Sequence, residues 1–169
     1  MFRAAPRAAG FALLMALLPA LSACGASEED KAAEAVSAGL MEEQDETFEV
    51  TQEEADCVGE GFVDELGVDK LKEYGLLTED LEASDKAIEA TLPQDDAEGA
   101  AKVLVDCTDA TQLFKDAMMG GEEMEPAMET CLDDALTDEA LKAFFAATFA
   151  EDQDAAAEAM APLQECMAG

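Results

Sequence analysis

The chain contains no histidine, no tryptophan and no asparagine, a single tyrosine, and only two arginines, Arg3 and Arg7, both ahead of its first apolar run. Each absence excludes chemistry. Without histidine there is no imidazole to serve a Ser-His-Asp or Cys-His nucleophilic pair, or to ligate zinc in a mixed site. Past position 7 only lysines oppose 41 acidic residues, so a phosphate backbone is repelled and nucleic acid is excluded as a partner. Paired carboxylates can hydrolyse glycosides, but sugar sites add aromatic platforms and polar donors. Tyr74 alone, without Trp, His or Asn, leaves those supports missing. The expectation is a non-catalytic protein without a cofactor.

What is present begins with an address. Arg3 and Arg7 precede an apolar stretch from Phe11 to Leu21 that is interrupted by Pro19 and followed by small residues, the layout of a bacterial export signal. That stretch is too short to remain as a spanning helix, which needs about 20 residues. Leu21, Ser22, Ala23 and Cys24 then read LSAC, which resembles the lipobox of bacterial lipoproteins. The resemblance implies a signal peptide over 1–23, cleavage before Cys24, and a diacylglycerol on the Cys24 thiol. Each buried CH₂ is worth about 0.8 kcal/mol, so two or more acyl chains anchor a soluble domain durably. The address implied is the extracytoplasmic face of the cell membrane, with the membrane a partner through acylated Cys24.

Beyond the signal, seven lysines face all 41 acidic residues, a net charge of −34 for the mature chain. Residues 24–47 are small and acidic, with Val36, Leu40 and Met41 as isolated apolar side chains. They read as a flexible tether, because so little apolar surface does not offset the ordering entropy. Extended, about 20 residues would reach roughly 70 Å.

From Phe48 to the C-terminus the punctuation is helical, and 48–169 is expected to be one all-α domain. Thr51–Glu54 reads TQEE, a capping box, with Phe48 placed to staple the entry. Ala55, Val58, Phe62, Val63 and Leu66 follow at helical spacing before Gly67. A short helix spans Val68 to Tyr74, another runs from Ser84 to Pro93, and Asp95 or Asp96 caps one through Cys107. The next ends at Gly120 and Gly121. Pro126 and Thr137 open two more, Leu141, Phe144, Phe145 and Phe149 form a core stripe, and a last helix covers Asp154 to Met167.

Setting Cys24 aside leaves four cysteines, which an exported chain should oxidise in one of three pairings. Aligning Cys57 with Cys131 places Val58 on Leu132 and Phe62 on Leu136. Aligning Cys107 with Cys166 places Leu104 on Leu163 and Ala100 on Ala159. Two diverged units, roughly 50–109 and 125–169, are the implication, and they select the bridges Cys57–Cys107 and Cys131–Cys166.

The acidic runs EEDKAAE, LTEDLE and EDQD lack the D-x-[DN]-x-[DN]-G alternation of a calcium loop. They imply weak, diffuse divalent-cation binding and no defined metal site. Met118, Met119, Met124 and Met128 are the one cluster of soft ligands, and a Met-rich connector packing on helices is the commoner meaning. Tyr74, Phe114, Phe144, Phe145 and Phe149 would line an apolar-ligand pocket, or else form the core. The segments Ala55–Cys57 and Val63–Gly67 (ADC and VDELG) resemble small acidic lipoproteins and secreted proteins of high-GC Gram-positive bacteria. That resemblance implies an address and no mechanism. The expected role is a lipid-anchored binding or envelope-interaction module with a basic or apolar protein partner at the cell surface; the rival is a carrier of a lipid, apolar ligand or cation.

Overall fold

A computed structural model describes residues 26–42, 49–84, 90–119 and 125–168. Along them run α1 Glu28–Glu42, α2 Gln52–Leu66, α3 Val68–Glu73, α4 Gln94–Cys107, α5 Ala110–Met119, α6 Pro126–Ala135, α7 Asp138–Phe149, α8 Gln153–Ala159 and α9 Ala161–Ala168. Among the described residues there is no strand beyond one isolated bridge, Leu77 with Ala83. The fold is all-α.

Local chemistry sets most boundaries. The Thr51 hydroxyl accepts from the Glu54 N–H and the Glu54 carboxylate accepts from the Thr51 N–H, so two free donors at the start of α2 are satisfied reciprocally. Phe48, the expected staple, lies outside the described residues. Gly67, at φ 81°, ends α2 in a conformation that L side chains rarely adopt, and α3 begins in a new direction. Pro126 opens α6, and Thr137 caps α7 by accepting from the Ala140 N–H.

Four expectations are corrected. The N-cap of α4 is Pro93, not Asp95 or Asp96; both residues instead fall in the first turn, where their negative charge suits the helix dipole. Of the helix expected between Ser84 and Pro93, residues 85–89 lie outside the described residues and Ala90–Leu92 is not helical. There the Leu92 N–H donates to the Phe149 carbonyl across the fold, 2.8 Å away. The last helix is two, α8 and α9, broken at Met160. Pro162 has no N–H to give the Glu158 carbonyl, so an unbroken helix would lose a bond and gain a clash.

The largest correction concerns the expected tether. Residues 24, 25 and 43–47 lie outside the described residues, but Glu28–Glu42 is a helix packed along α2. Ser27 caps it: its hydroxyl accepts from the Asp30 N–H at 3.0 Å, and the Asp30 carboxylate accepts from the Ser27 N–H at 2.8 Å. Small residues then replace large ones at the contact. Ala32 is fully buried, and a Cβ on Gly59 of α2 would stand 2.3 Å from the Ala33 carbonyl oxygen. On another side Gly39 meets Ala83, so α1 is enclosed from two directions.

Among the described residues, two clusters form much of the core. The first joins Ala32, Val63, Leu66, Leu71, Leu77, Leu92, Ala97 and Ala100. The second joins Val105, Ala110, Leu132, Leu136, Leu141 and Leu163. α4 contributes to both, and α7 runs between them with Leu141 in the second and Phe149 against the first.

Candidate functional site

Cys24, the expected lipid attachment point, lies outside the described residues. The other four cysteines are paired. Cys57 bonds Cys107 with Cα atoms 5.5 Å apart, and Cys131 bonds Cys166 at 5.7 Å. The bridges tie α2 to α4 and α6 to α9, the pairing that the alignment of Cys57 with Cys131 and of Cys107 with Cys166 selected. The two aligned segments are otherwise unequal. Val58 and Leu132 occupy matching buried positions, but α2 has 15 residues and α6 has 10. Phe62 therefore sits inside a helix while its counterpart Leu136 is a C-cap.

A groove of about 980 Å³ runs along α1 and α2, floored by Ala33, Ala38 and Val63 and rimmed by Glu29, Glu34, Glu60 and Asp64. Its centre is a polar clasp between the helices. Buried Ser37 donates through Oγ to Asp56 Oδ1 at 2.6 Å, while Gln52 Nε2 donates to Ser37 Oγ at 3.0 Å and to Asp56 Oδ1 at 2.7 Å. The Ser37 and Gln52 hydrogen bonds hold the Asp56 carboxyl below its usual range. The three side chains tie α1 to α2, with Asp56 stabilised as an anion.

A second constellation lies where α3 meets α4. Tyr74 Oη donates to Asp96 Oδ2 at 2.5 Å, and Lys70 Nζ donates to Asp96 Oδ1 at 2.7 Å. Hydrogen bonding to Asp96 pushes the Tyr74 phenol up to about 12, and Lys70 followed by Tyr74 holds Asp96 low. Beside the first disulfide, Lys142 of α7 and Lys102 of α4 both donate to Asp106, at 2.6 and 3.0 Å, which lowers the Asp106 pKa and raises that of Lys142. A groove of about 640 Å³ is lined by these two lysines, by Gln94, Glu98 and Glu158, and by alanines of α7 and α8.

The aromatic residues proposed for an apolar ligand come together in part. Phe114, Phe144, Phe145 and Phe149 form a run with ring centroids 5.7, 5.5 and 6.5 Å apart, and all of them are half-buried. Phe114 and Phe145 pack on the second cluster, Phe149 and Tyr74 on the first. None of the five lines either groove. Among the described residues no three carboxylates or thiols converge as a metal ion would need. Met128 packs on the second cluster, Met118 is 39% exposed, and Met124 lies outside the described residues. Among them too, no helix is long and apolar enough to cross a membrane.

Sequence reasoning missed the Ser37–Asp56–Gln52 clasp, because a buried serine in an alanine-rich acidic stretch has no pattern of its own. The helix carrying it did have a signal. Ser27 to Asp30 reads SEED, a capping box at the head of α1. Comparison with protein-family models, with curated proteins and with solved structures finds no match.

Proposed function

We propose that this protein is a non-catalytic binding or envelope-interaction module, exported and held by acylated Cys24 on the extracytoplasmic face of the cell membrane. The observation that carries the proposal is LSAC directly after an arginine-flanked apolar run. The cysteine count supports it: with Cys57, Cys107, Cys131 and Cys166 joined in pairs, Cys24 is the thiol left over for another purpose. Paired cysteines also suit an oxidising compartment. The absence of histidine and the strongly acidic composition favour a partner with basic or apolar surface over a substrate. Replacing Cys24 with Ala should move the protein from the membrane fraction to the soluble extracytoplasmic fraction. Retention of Cys24→Ala on membranes would sink the anchor.

A further inference from the structure

We propose that the head lies directly against the bilayer, with the N-terminal end of α1 and the adjoining α3 facing the lipid and the α5–α6 end pointing away. This rests on the acylation of Cys24 proposed above and adds to it the surface that meets the membrane.

Covalent geometry supplies the first step. Cys24 and Glu28, the first residue of α1, are four Cα–Cα steps apart, which span at most about 15 Å. The second step is that α1 belongs to the folded head. Ala32 and Ser37 are buried, the Ser37–Asp56 bond and the Ala33–Gly59 approach hold the helix to α2, and Lys72 Nζ of α3 donates to Glu28 at 2.8 Å in its first turn. The span between the anchor and the core is therefore at most about 15 Å, far shorter than an unfolded 24–47 segment would have provided.

The packing fixes which end is near. α1 and α2 are antiparallel, since Ala33 meets Gly59 and Ser37 meets Asp56 and Gln52, so the start of α1 lies by the end of α2 and by α3. The start of α2 lies at the other end, where Glu54 accepts from the Asp109 N–H ahead of α5 and Lys115 of α5 pairs with Asp133 of α6. The 15 residues of α2 separate these ends by about 22 Å. Lys31, Lys70 and Lys72 sit at the near end together with Glu28, Glu29, Asp30, Asp69 and Glu73. That mixture is not a basic patch, so the surface is held by the short span and not by attraction to anionic lipid.

The chain has no tryptophan, so one introduced indole reports on one place. The acylated protein, its Cys24 lipid confirmed by mass, is reconstituted in phosphatidylcholine vesicles containing a lipid with a nitroxide on its headgroup. Asp69→Trp on α3 and Glu129→Trp on α6 are compared, both exposed positions. Quenching several-fold stronger for Asp69→Trp is expected. A flexible insert of about 16 Gly and Ser residues between Gly25 and Ala26, adding roughly 22 Å of reach, should abolish the difference. Equal quenching of the two reporters in acylated protein without the insert overturns the orientation and leaves the anchor standing. A protein whose Cys24 carries no lipid overturns both.

Discussion

Tyr74 gives the most direct readout of a single contact, because it is the chain's one tyrosine and its phenolate absorbance titrates without overlap. Its midpoint is expected at about 12 and should fall towards the ordinary value of about 10 in Asp96→Asn. The phenol is raised, so its stabilisation is complete below about pH 10 and is lost as pH climbs through about 12. Asp96 runs the other way. Its carboxyl is lowered in the fold, so its stabilisation is present above the unfolded value of about 3.9 and disappears as pH falls through the folded one. Urea unfolding should therefore find Asp96→Asn destabilising at neutral pH and neutral in strong acid; an equal cost at both would contradict the pairing. None of this was legible beforehand. Asp96 read as a helix cap, and its true partners, Tyr74 and Lys70, come from an element 22 to 26 residues away.

Among the elements, α1 separates what the sequence disclosed from what it hid. Judged by large apolar residues, Glu28–Glu42 has too few to pay for its own order. Its burial is made mostly of small side chains, Ala32, Ala33, Ala35 and Ser37, with Val36 against the first cluster, and such contacts stay invisible until α2 is in place. The elements with bulky stripes or caps, α2, α3, α6 and α7, were readable because one side chain carried each signal. The break between α8 and α9 was readable in principle from Pro162. Two glycines of α2 test the packing. A methyl on Gly59 would strike the Ala33 backbone at 2.3 Å, and one on Gly61 would meet the Val103 side chain at 2.4 Å. The Ala33 carbonyl is fixed in its helix, whereas the Val103 γ carbons can give way at the cost of a less favourable χ1. Gly59→Ala is expected to lose about 1–3 kcal/mol in urea unfolding, while Gly61→Ala loses clearly less, helped by alanine's better helix propensity. A neutral Gly59→Ala would mean that α1 does not dock as described.

At the scale of the molecule, two disulfides and two modest clusters hold a strongly self-repelling chain together. Bridges with sequence separations of 50 and 35 restrict the unfolded chain by about 4 kcal/mol each, so Cys57→Ser with Cys107→Ser, or Cys131→Ser with Cys166→Ser, should lose stability of that order. Added salt screens carboxylate repulsion, and the melting temperature should rise from low to moderate ionic strength. The bridges were legible from the aligned halves, because covalent pairing ignores helix length; the unequal helices around them were not. What would join fold, charge and address is the proposed acylation of Cys24. The decisive measurement is the intact, non-reduced mass of the protein extracted from membranes. A chain beginning at Cys24, carrying at least a diacylglycerol and four hydrogens short for two disulfides, is the expected result. A chain with an unmodified Cys24, or one cut elsewhere, would contradict the lipid-anchored account.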